Sequence, residues 1–123
     1  MSDIVDNRSR LDTLVEQWWT LREAADALGV SPNRVRQLAR EHQLIVMKRP
    51  GRPELELPAD FIADGAVVKG LGGTLTLLDD HGFDDAGALV WLFTADDTLP
   101  GRPIDALRQD RGTEVRRRAQ AID

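Results

Sequence analysis

The 25-residue stretch TLREAADALGVSPNRVRQLAREHQL, which begins at Thr20, constrains the fold most, because it carries start and stop signals for two helices. Thr20 and Glu23 have the spacing of a capping box, in which a hydroxyl and a carboxylate bind the free amides at a helix start. Gly29 suits the left-handed conformation that ends a helix. Ser31 is a second N-cap, and Pro32 occupies the first helical position, where its missing N–H costs nothing. Two short helices joined by a tight turn make a helix-turn-helix.

The second of these helices, expected over residues 32–42, separates apolar from polar side chains. At about 100° per residue, Val35, Leu38, Ala39 and His42 share the side that would pack on the first helix. The other side holds residue types that hydrogen-bond to base edges: arginine to guanine, and asparagine or glutamine to adenine. The candidate DNA-reading residues are Asn33, Arg34, Arg36, Gln37 and Arg40. The alternative is a solvated helix face, but the capped boundaries and the tight turn favour a recognition helix.

Two β-prone runs follow, Leu44–Met47 and Leu55–Leu57, with the segment KRPGRP between them. Pro-Gly in that segment suits a type II turn, so the pattern predicts a β-hairpin. A hairpin directly after a recognition helix is a wing, and a basic wing tip meets phosphate or enters a minor groove. The candidate contacts on this wing are Lys48, Arg49 and Arg52. We favour the wing over the alternative, a surface turn with incidental charge.

The charge distribution favours a nucleic-acid partner, although the formal net charge is −5. Residues 31–53 hold six basic side chains and one acidic side chain, a local balance of +5. Residues 54–110 hold three basic side chains and twelve acidic ones, a balance of −9. A segregated basic face attracts phosphate, and an acidic remainder limits non-specific binding. We therefore expect double-stranded DNA as the partner.

The remaining signals are mainly helical. Apolar residues recur at helical spacing from Ser9 onward, so residues 9–18 predict a helix packed on the helix-turn-helix, with Trp18 and Trp19 in the core. Further helices are expected near Pro58, over residues 71–80, from an Asp84 cap to Phe93, from Pro103 to a stop at Gly112, and from a Thr113 cap over residues 114–122. The fold class is thus mainly α. We expect a winged helix-turn-helix with a two-stranded wing over residues 1–58 and a small helical domain over residues 59–123.

Composition and motifs exclude several classes of function. The chain has no cysteine, which excludes disulfides and thiolate metal sites and fits a reducing cytosol. No apolar run approaches the roughly 18 residues of a membrane span, and the N-terminus lacks the features of a signal peptide. We therefore expect a cytoplasmic, nucleoid-associated protein. His42 and His81 have no catalytic motif beside them, and no phosphate-loop spacing is present, so we expect no enzyme, cofactor or metal site.

Two family resemblances rest on longer stretches of sequence. The stretch LREAADALGVSPNRVRQLAREHQL, with the hairpin after it, resembles the winged helix-turn-helix of the MerR/excisionase type. The chain from LDTLV to WLFTADDTLPGRPIDALRQDRGTEVRRRAQAI resembles small actinobacterial DNA-binding proteins that have a winged N-terminal half and a helical C-terminal half. WLF and GRPIDAL in the second half also resemble the C-terminal domain of Xre-type antitoxins.

The actinobacterial resemblance implies DNA binding and regulation by phosphorylation, since one mycobacterial member is a substrate of a membrane Ser/Thr protein kinase. The candidate phosphorylation sites are Ser9 and Thr13, whose hydroxyls we expect at or near the start of the first helix. We expect a transcriptional regulator, with a protein partner or self-association through residues 59–123. The alternative is an antitoxin-like or adaptor protein whose helical half binds a protein, with DNA contact secondary.

Overall fold

The N-terminal half forms a winged helix-turn-helix in the computed structural model, which describes residues 7–122, with side chains from Arg10 onward. Its elements are α1 (Asn7–Leu14), β1 (Trp18–Thr20), α2 (Leu21–Leu28), α3 (Pro32–Arg40), β2 (Met47–Lys48) and β3 (Leu55–Pro58). The second half contains a 3-10 turn (Ala59–Phe61), β4 (Ile62–Ala63), β5 (Ala66–Val67), α4 (Leu71–Asp80), α5 (Asp85–Phe93), α6 (Pro103–Arg108) and α7 (Gly112–Gln120). The mainly α fold class with a winged helix-turn-helix is confirmed.

Local capping sets the boundaries of α2 and α3 where the sequence predicts them. The amide of Thr20 donates to Oε1 of Glu23 over 2.8 Å, and the amide of Glu23 donates to Oγ1 of Thr20 over 3.2 Å. Gly29 ends α2 with φ at 71°, a left-handed conformation that costs glycine little. Ser31 caps α3 by accepting the amide of Arg34 at 3.1 Å, with Pro32 as the first helical residue. The two helices therefore meet through a short, fixed turn.

The sheet has three strands in the order β1-β3-β2, where the sequence predicts only a two-stranded hairpin. β1 pairs antiparallel with β3, placing Trp19 opposite Leu57. The prediction of a helix over residues 9–18 is therefore wrong at its end, because α1 stops at Leu14 and Trp18 lies in a strand. Adjacent tryptophans favour a pleated strand once a partner is available, and that partner lies far away in the sequence. Both tryptophans are half-buried against the core, rather than fully enclosed.

The first wing strand begins later than its apolar run. Leu44 and Ile45 are buried in the core, and pairing starts at Met47, which lies opposite Glu56. The run that looks β-prone is thus divided between core packing and a short strand. A period-2 pattern does not separate these two roles when the run has only four residues.

α1 packs chiefly against α5, and not on the helix-turn-helix as the sequence predicts. Leu11 on α1 and Val15 directly after its end are buried in the core. α5 is apolar around most of its circumference, so it offers a larger hydrophobic face than α2 does. One continuous core therefore runs through both halves, including the rings of Phe61 and Phe93, whose centres lie 5.9 Å apart. The domain division at residue 58 stays a prediction.

The second half differs from the predicted set of helices in two places. The short helix expected near Pro58 is present as the 3-10 turn Ala59–Phe61, but β4 and β5 follow it as a small hairpin that is not predicted, with Asp64 and Gly65 in the left-handed region at its turn. Asp-Gly between apolar residues is a known hairpin signal, and it is present in the sequence. Gly112 begins α7 instead of ending α6, and Thr113 lies inside the first turn of α7. The helix over 71–80 and the Asp84 cap of α5 are confirmed.

No helix within residues 7–122 is long and apolar enough to cross a lipid bilayer.

Candidate nucleic-acid interface

The solvent face of α3 carries all the candidate base-reading residues. Their side chains are exposed, whereas Val35 is completely buried against the core, and Leu38 and Ala39 are half-buried. The exposed residues are Asn33, Arg34, Arg36, Gln37 and Arg40. The prediction for His42 is wrong, because α3 ends at Arg40 and His42 lies exposed beyond it with φ at 60°. The backbone turns away at that point, so the helical periodicity no longer applies.

Two of the candidate residues contact an acid on the same helix surface. Nε2 of Gln37 donates to Oε2 of Glu41 over 3.1 Å, and Nη1 of Arg34 lies 3.6 Å from Oε1 of Glu41. Glu41 therefore orients the Gln37 amide and the Arg34 guanidinium before any ligand arrives. Exposed contacts of this kind contribute roughly 0–1 kcal/mol, so a base edge can displace them at little cost.

Arg36 and Arg40 are the available cations of this helix. Neither forms an ion pair with any residue in the part of the chain that the structure describes. Each guanidinium keeps its five N–H donors for a ligand and can donate to two acceptors at once. Bidentate donation to guanine is the chemistry that such an arrangement supports.

The wing ends in the turn that the Pro-Gly pair predicts. The amide of Arg52 donates to the carbonyl of Arg49 over 3.1 Å, and Gly51 has φ at 76°, as a type II turn requires. Nζ of Lys48 donates to the carbonyl of Arg52, which holds the lysine across the turn. Lys48 and Arg52 are exposed beside the turn.

Arg49 points into the protein, contrary to the prediction of a free charge at the wing tip. Its guanidinium lies 2.6 Å from Oδ1 of Asp12 and 3.0 Å from Oε1 of Glu56, and it covers the Trp18 ring at 4.4 Å. Burial alone would lower the pKa of Arg49, but the hydrogen bonds and charges of Asp12 and Glu56 outweigh it and raise the pKa. Arg49 is thus a permanently charged structural residue.

Glu56 is the acid that anchors the wing, and the sequence pattern does not reveal it. The side chain of Glu56 is only 5% exposed and also accepts from Nη2 of Arg52 at 3.2 Å. Alternation in Leu55-Glu56-Leu57 predicts an outward, solvated carboxylate. In the structure the Glu56 carboxylate lies between the guanidiniums of Arg49 and Arg52 and is not solvated.

A cationic cleft of about 480 Å³ separates the start of α3 from the wing. Arg36 and Lys48 line it from the two predicted elements, and Arg22 in the first turn of α2 joins them. Arg22 is a candidate contact that the sequence pattern does not single out, although it is an exposed basic residue at the helix start. Three cations against one acid, Glu54, leave the lining of this cleft net positive, which suits a phosphate backbone passing between helix and wing.

Comparisons with known proteins match both halves of the chain. The family model described as "DNA-binding protein Rv2175c, wHTH domain" matches residues 9–62, and "Rv2175c C-terminal domain of unknown function" matches residues 68–123. DNA-binding protein Rv2175c of Mycobacterium tuberculosis is 38% identical over 120 residues, which cover 87% of this chain and 81% of that protein. This chain belongs to the Rv2175c family. The NMR structure of Rv2175c gives a TM-score of 0.76 at 38% identity, covering 86% of this chain and 80% of that one.

The candidate phosphorylation sites Ser9 and Thr13 lie on α1, the helix whose Asp12 binds Arg49 of the wing. Thr13 is exposed in the last turn of α1, next to Asp12. Ser9 lies in the first half of α1, and its hydroxyl falls outside the side chains that the structure describes. The expectation that both residues lie near the helix start is therefore wrong for Thr13.

Proposed function

We propose that this member of the Rv2175c family binds double-stranded DNA in a sequence-dependent manner and regulates transcription at the nucleoid. The observation that carries the proposal is the pair Arg36 and Arg40, exposed and without ion pairs among residues 10–122, on a helix whose start is fixed by a cap. A helix held in this way can enter a major groove and present guanidiniums to guanine, at about 1–3 kcal/mol for each good bidentate contact. The family's description as a DNA-binding protein supports the same role.

The proposed contacts fall into two groups, those that bind base edges and those that bind phosphate or the minor groove. Residues on α3 read bases: Asn33, Arg34, Arg36, Gln37 and Arg40. Lys48 and Arg52 contact phosphate or the minor groove from the wing, and Arg22 contacts phosphate from the opposite side of the cleft. Phosphate contacts fix the register of the protein on the duplex, and base contacts then select the sequence. Arg49 acts indirectly by holding the wing in place.

We further propose that a Ser/Thr protein kinase acts on α1, with Thr13 as the better placed acceptor. Thr13 is exposed, and its neighbour Asp12 binds Arg49 at 2.6 Å. A phosphate there would add about −1.5 to −2 charges beside the ion pair that holds the wing. The effect on DNA would be electrostatic repulsion together with a weaker wing anchor.

The test is a titration of the full chain with fluorescent duplex DNA, from a random pool and from sites selected out of that pool, at two salt concentrations. The proposal predicts that selected sites bind at least tenfold more tightly than the pool and that affinity falls steeply with salt. The double variant Arg36→Ala with Arg40→Ala should lose the selected-site preference. Arg116→Ala with Arg117→Ala is the matched control, because both arginines are exposed on α7 and their replacement removes the same charge. A folded chain without DNA binding would favour the adaptor role.

A further inference from the structure

A second cavity lies between the recognition helix and the corner where α4 meets α5. Its volume is about 410 Å³, within the usual range for a site that holds one small molecule. The floor is apolar and includes the buried side chains of Leu44, Leu75 and Ala88. The two halves of the protein thus share the walls of one concave site.

Opposite charges line the two walls of this cavity without meeting. Arg36 and Arg40 lie on the α3 wall, and Asp79, Asp84 and Asp85 lie on the α4–α5 wall. Within residues 10–122, none of these aspartates forms an ion pair with an arginine. One oxygen of Asp84 accepts the amide of Gly87 at 2.8 Å as the cap of α5, so Asp79 and Asp85 are the acids without such a role.

The acidic wall is short of positive charge. Partial burial raises the pKa of Asp85, although the residue still reaches solvent; the nearby charges of Asp84 and Asp79 raise this pKa further, and His42 opposes them. A raised pKa means that the ionised carboxylate is disfavoured where it stands, and a cation placed beside it would relieve the cost. The basic wall similarly offers two guanidiniums with free donors.

We propose that this cavity binds a small zwitterion with an apolar body, of the size of a dipeptide with apolar side chains. Its carboxylate would bind Arg36 and Arg40, its ammonium group would bind Asp79 and Asp85, and its side chains would cover Leu44, Leu75 and Ala88. Charge complementarity at both ends, together with an apolar floor between them, selects this class over a purely anionic or purely apolar ligand.

Such a ligand would compete with DNA, a consequence that rests on the proposed function. Arg36 and Arg40 cannot donate to a ligand carboxylate and to base edges at the same time. Occupancy of the cavity should therefore weaken DNA binding, and by linkage DNA should weaken ligand binding by the same factor. The cavity would then make the C-terminal half part of a control on the recognition helix.

The test uses leucyl-phenylalanine as the probe, followed by amide chemical shifts of the ¹⁵N-labelled full chain. Saturable shifts centred on Ala39, Leu44 and Ala88 are expected, with a dissociation constant of about 1 mM or tighter. The N-acetylated and the C-amidated dipeptides each lack one charge and should bind at least tenfold more weakly. The double variant Asp79→Asn with Asp85→Asn should also lose binding, while its fold and its DNA binding remain.

The absence of saturable shifts at about 10 mM probe, tenfold above that limit, would overturn the inference. Equal binding of the blocked dipeptides would overturn it too. A second measurement adds the probe to the DNA complex: saturating dipeptide should weaken DNA affinity at least threefold in the wild-type chain and not in the double aspartate variant. Unchanged DNA affinity would overturn the competition. The shifts are recorded without DNA, so an empty cavity contradicts this inference alone, and a chain that binds no DNA contradicts the proposed function alone.

Discussion

The guanidinium of Arg49 lies 4.4 Å from the centre of the Trp18 ring, so a wing residue rests on the strand that precedes the helix-turn-helix. The same guanidinium binds Asp12 on α1 and Glu56 on β3. One side chain thus joins the wing to α1 and β1, the two elements that precede the helix-turn-helix in the sequence. Because β1 continues directly into α2, this contact fixes the position of the wing relative to the helix-turn-helix.

Replacing Arg49 should therefore reduce stability. Arg49→Gln leaves the buried carboxylate of Glu56 with only the half-exposed Arg52 as a partner, and we expect a loss of about 3 kcal/mol in the free energy of unfolding. Urea denaturation measures it, and Lys48→Gln is the control, with an expected change of about 0.5 kcal/mol or less. Unchanged stability together with weaker DNA binding would instead make Arg49 a direct DNA contact.

Neutralising the free wing cations should change the salt dependence of DNA binding and leave the fold intact. For Lys48→Gln with Arg52→Gln, the slope of log affinity against log salt should fall by about two units, roughly one for each lost phosphate contact. The affinity of this variant for all duplex sequences should fall by about the same factor. The control Arg116→Gln with Arg117→Gln removes the same charge from α7. If both double variants change the slope equally, general charge and not the wing determines the attraction.

Negative charge on α1 should act differently at its two candidate sites. Glutamate at position 13 lies in the last turn, where the helix dipole disfavours it, and beside the Asp12 contact to Arg49. Thr13→Glu should therefore weaken DNA binding and slightly lower the melting temperature. Ser9→Glu lies earlier in α1 and should affect stability less. At physiological salt, screening limits the reach of a surface charge to about 8 Å, so either effect on DNA binding requires DNA close to α1.

DNA affinity and melting temperature of both variants are measured beside Thr113→Glu, which adds the same charge at an exposed position in the first turn of α7, where the helix dipole favours it. Equal DNA affinity of Thr13→Glu and of the wild type would remove α1 as a control point. A large drop in melting temperature would point to unfolding instead.

The C-terminal half should lose stability in acid through Asp105. Its two carboxylate oxygens accept from Arg102 at 2.7 and 2.8 Å, and these hydrogen bonds lower the pKa of Asp105 below its ordinary value. A lowered pKa gives stability that is present above the unfolded pKa and disappears as pH falls toward the folded one. The pH range in which this stability is lost therefore lies below about pH 5.

We expect Asp105→Asn to cost about 0.5–1 kcal/mol at pH 7, because the Asp105 side chain is 37% exposed and water screens its attraction to Arg102. The loss of stability between about pH 5 and pH 3 should become smaller in the variant. Urea denaturation across that range measures both effects, with Asp97→Asn as the control at an exposed aspartate. An unchanged pH profile would contradict the role of the Arg102 pair.

The parts of the fold that the sequence predicts are those determined by neighbouring residues. The caps at Thr20, Ser31 and Asp84 act within three residues, so the starts of α2, α3 and α5 follow from sequence alone. Pairing of Trp18 with Pro58 joins residues forty positions apart, and local periodicity carries no sign of it. The inward direction of Arg49 depends on that pairing, because β1 brings the ring on which it rests.

The candidate site also has a part that neighbouring residues determine and a part that depends on residues far away in the sequence. The exposed face of α3 is predictable, since a capped helix has a fixed periodicity. The cavity behind Arg36 and Arg40 is not, because its acidic wall comes from the α4–α5 corner, some forty residues later in the chain. The charge totals along the sequence separate a basic segment from an acidic one, but they do not show that the two face each other.

The most direct test of the account is the DNA preference of Arg40→Ala. A pool of randomised duplexes is selected with the wild-type chain and with the variant, and the affinity of each protein is measured on the wild-type site. If α3 reads the bases, Arg40→Ala loses about 1–3 kcal/mol of binding free energy on that site and relaxes the preference at one or two base pairs, with the fold intact by amide chemical shifts. The same affinity and the same selected sequence in both proteins would contradict α3 as the reader of DNA.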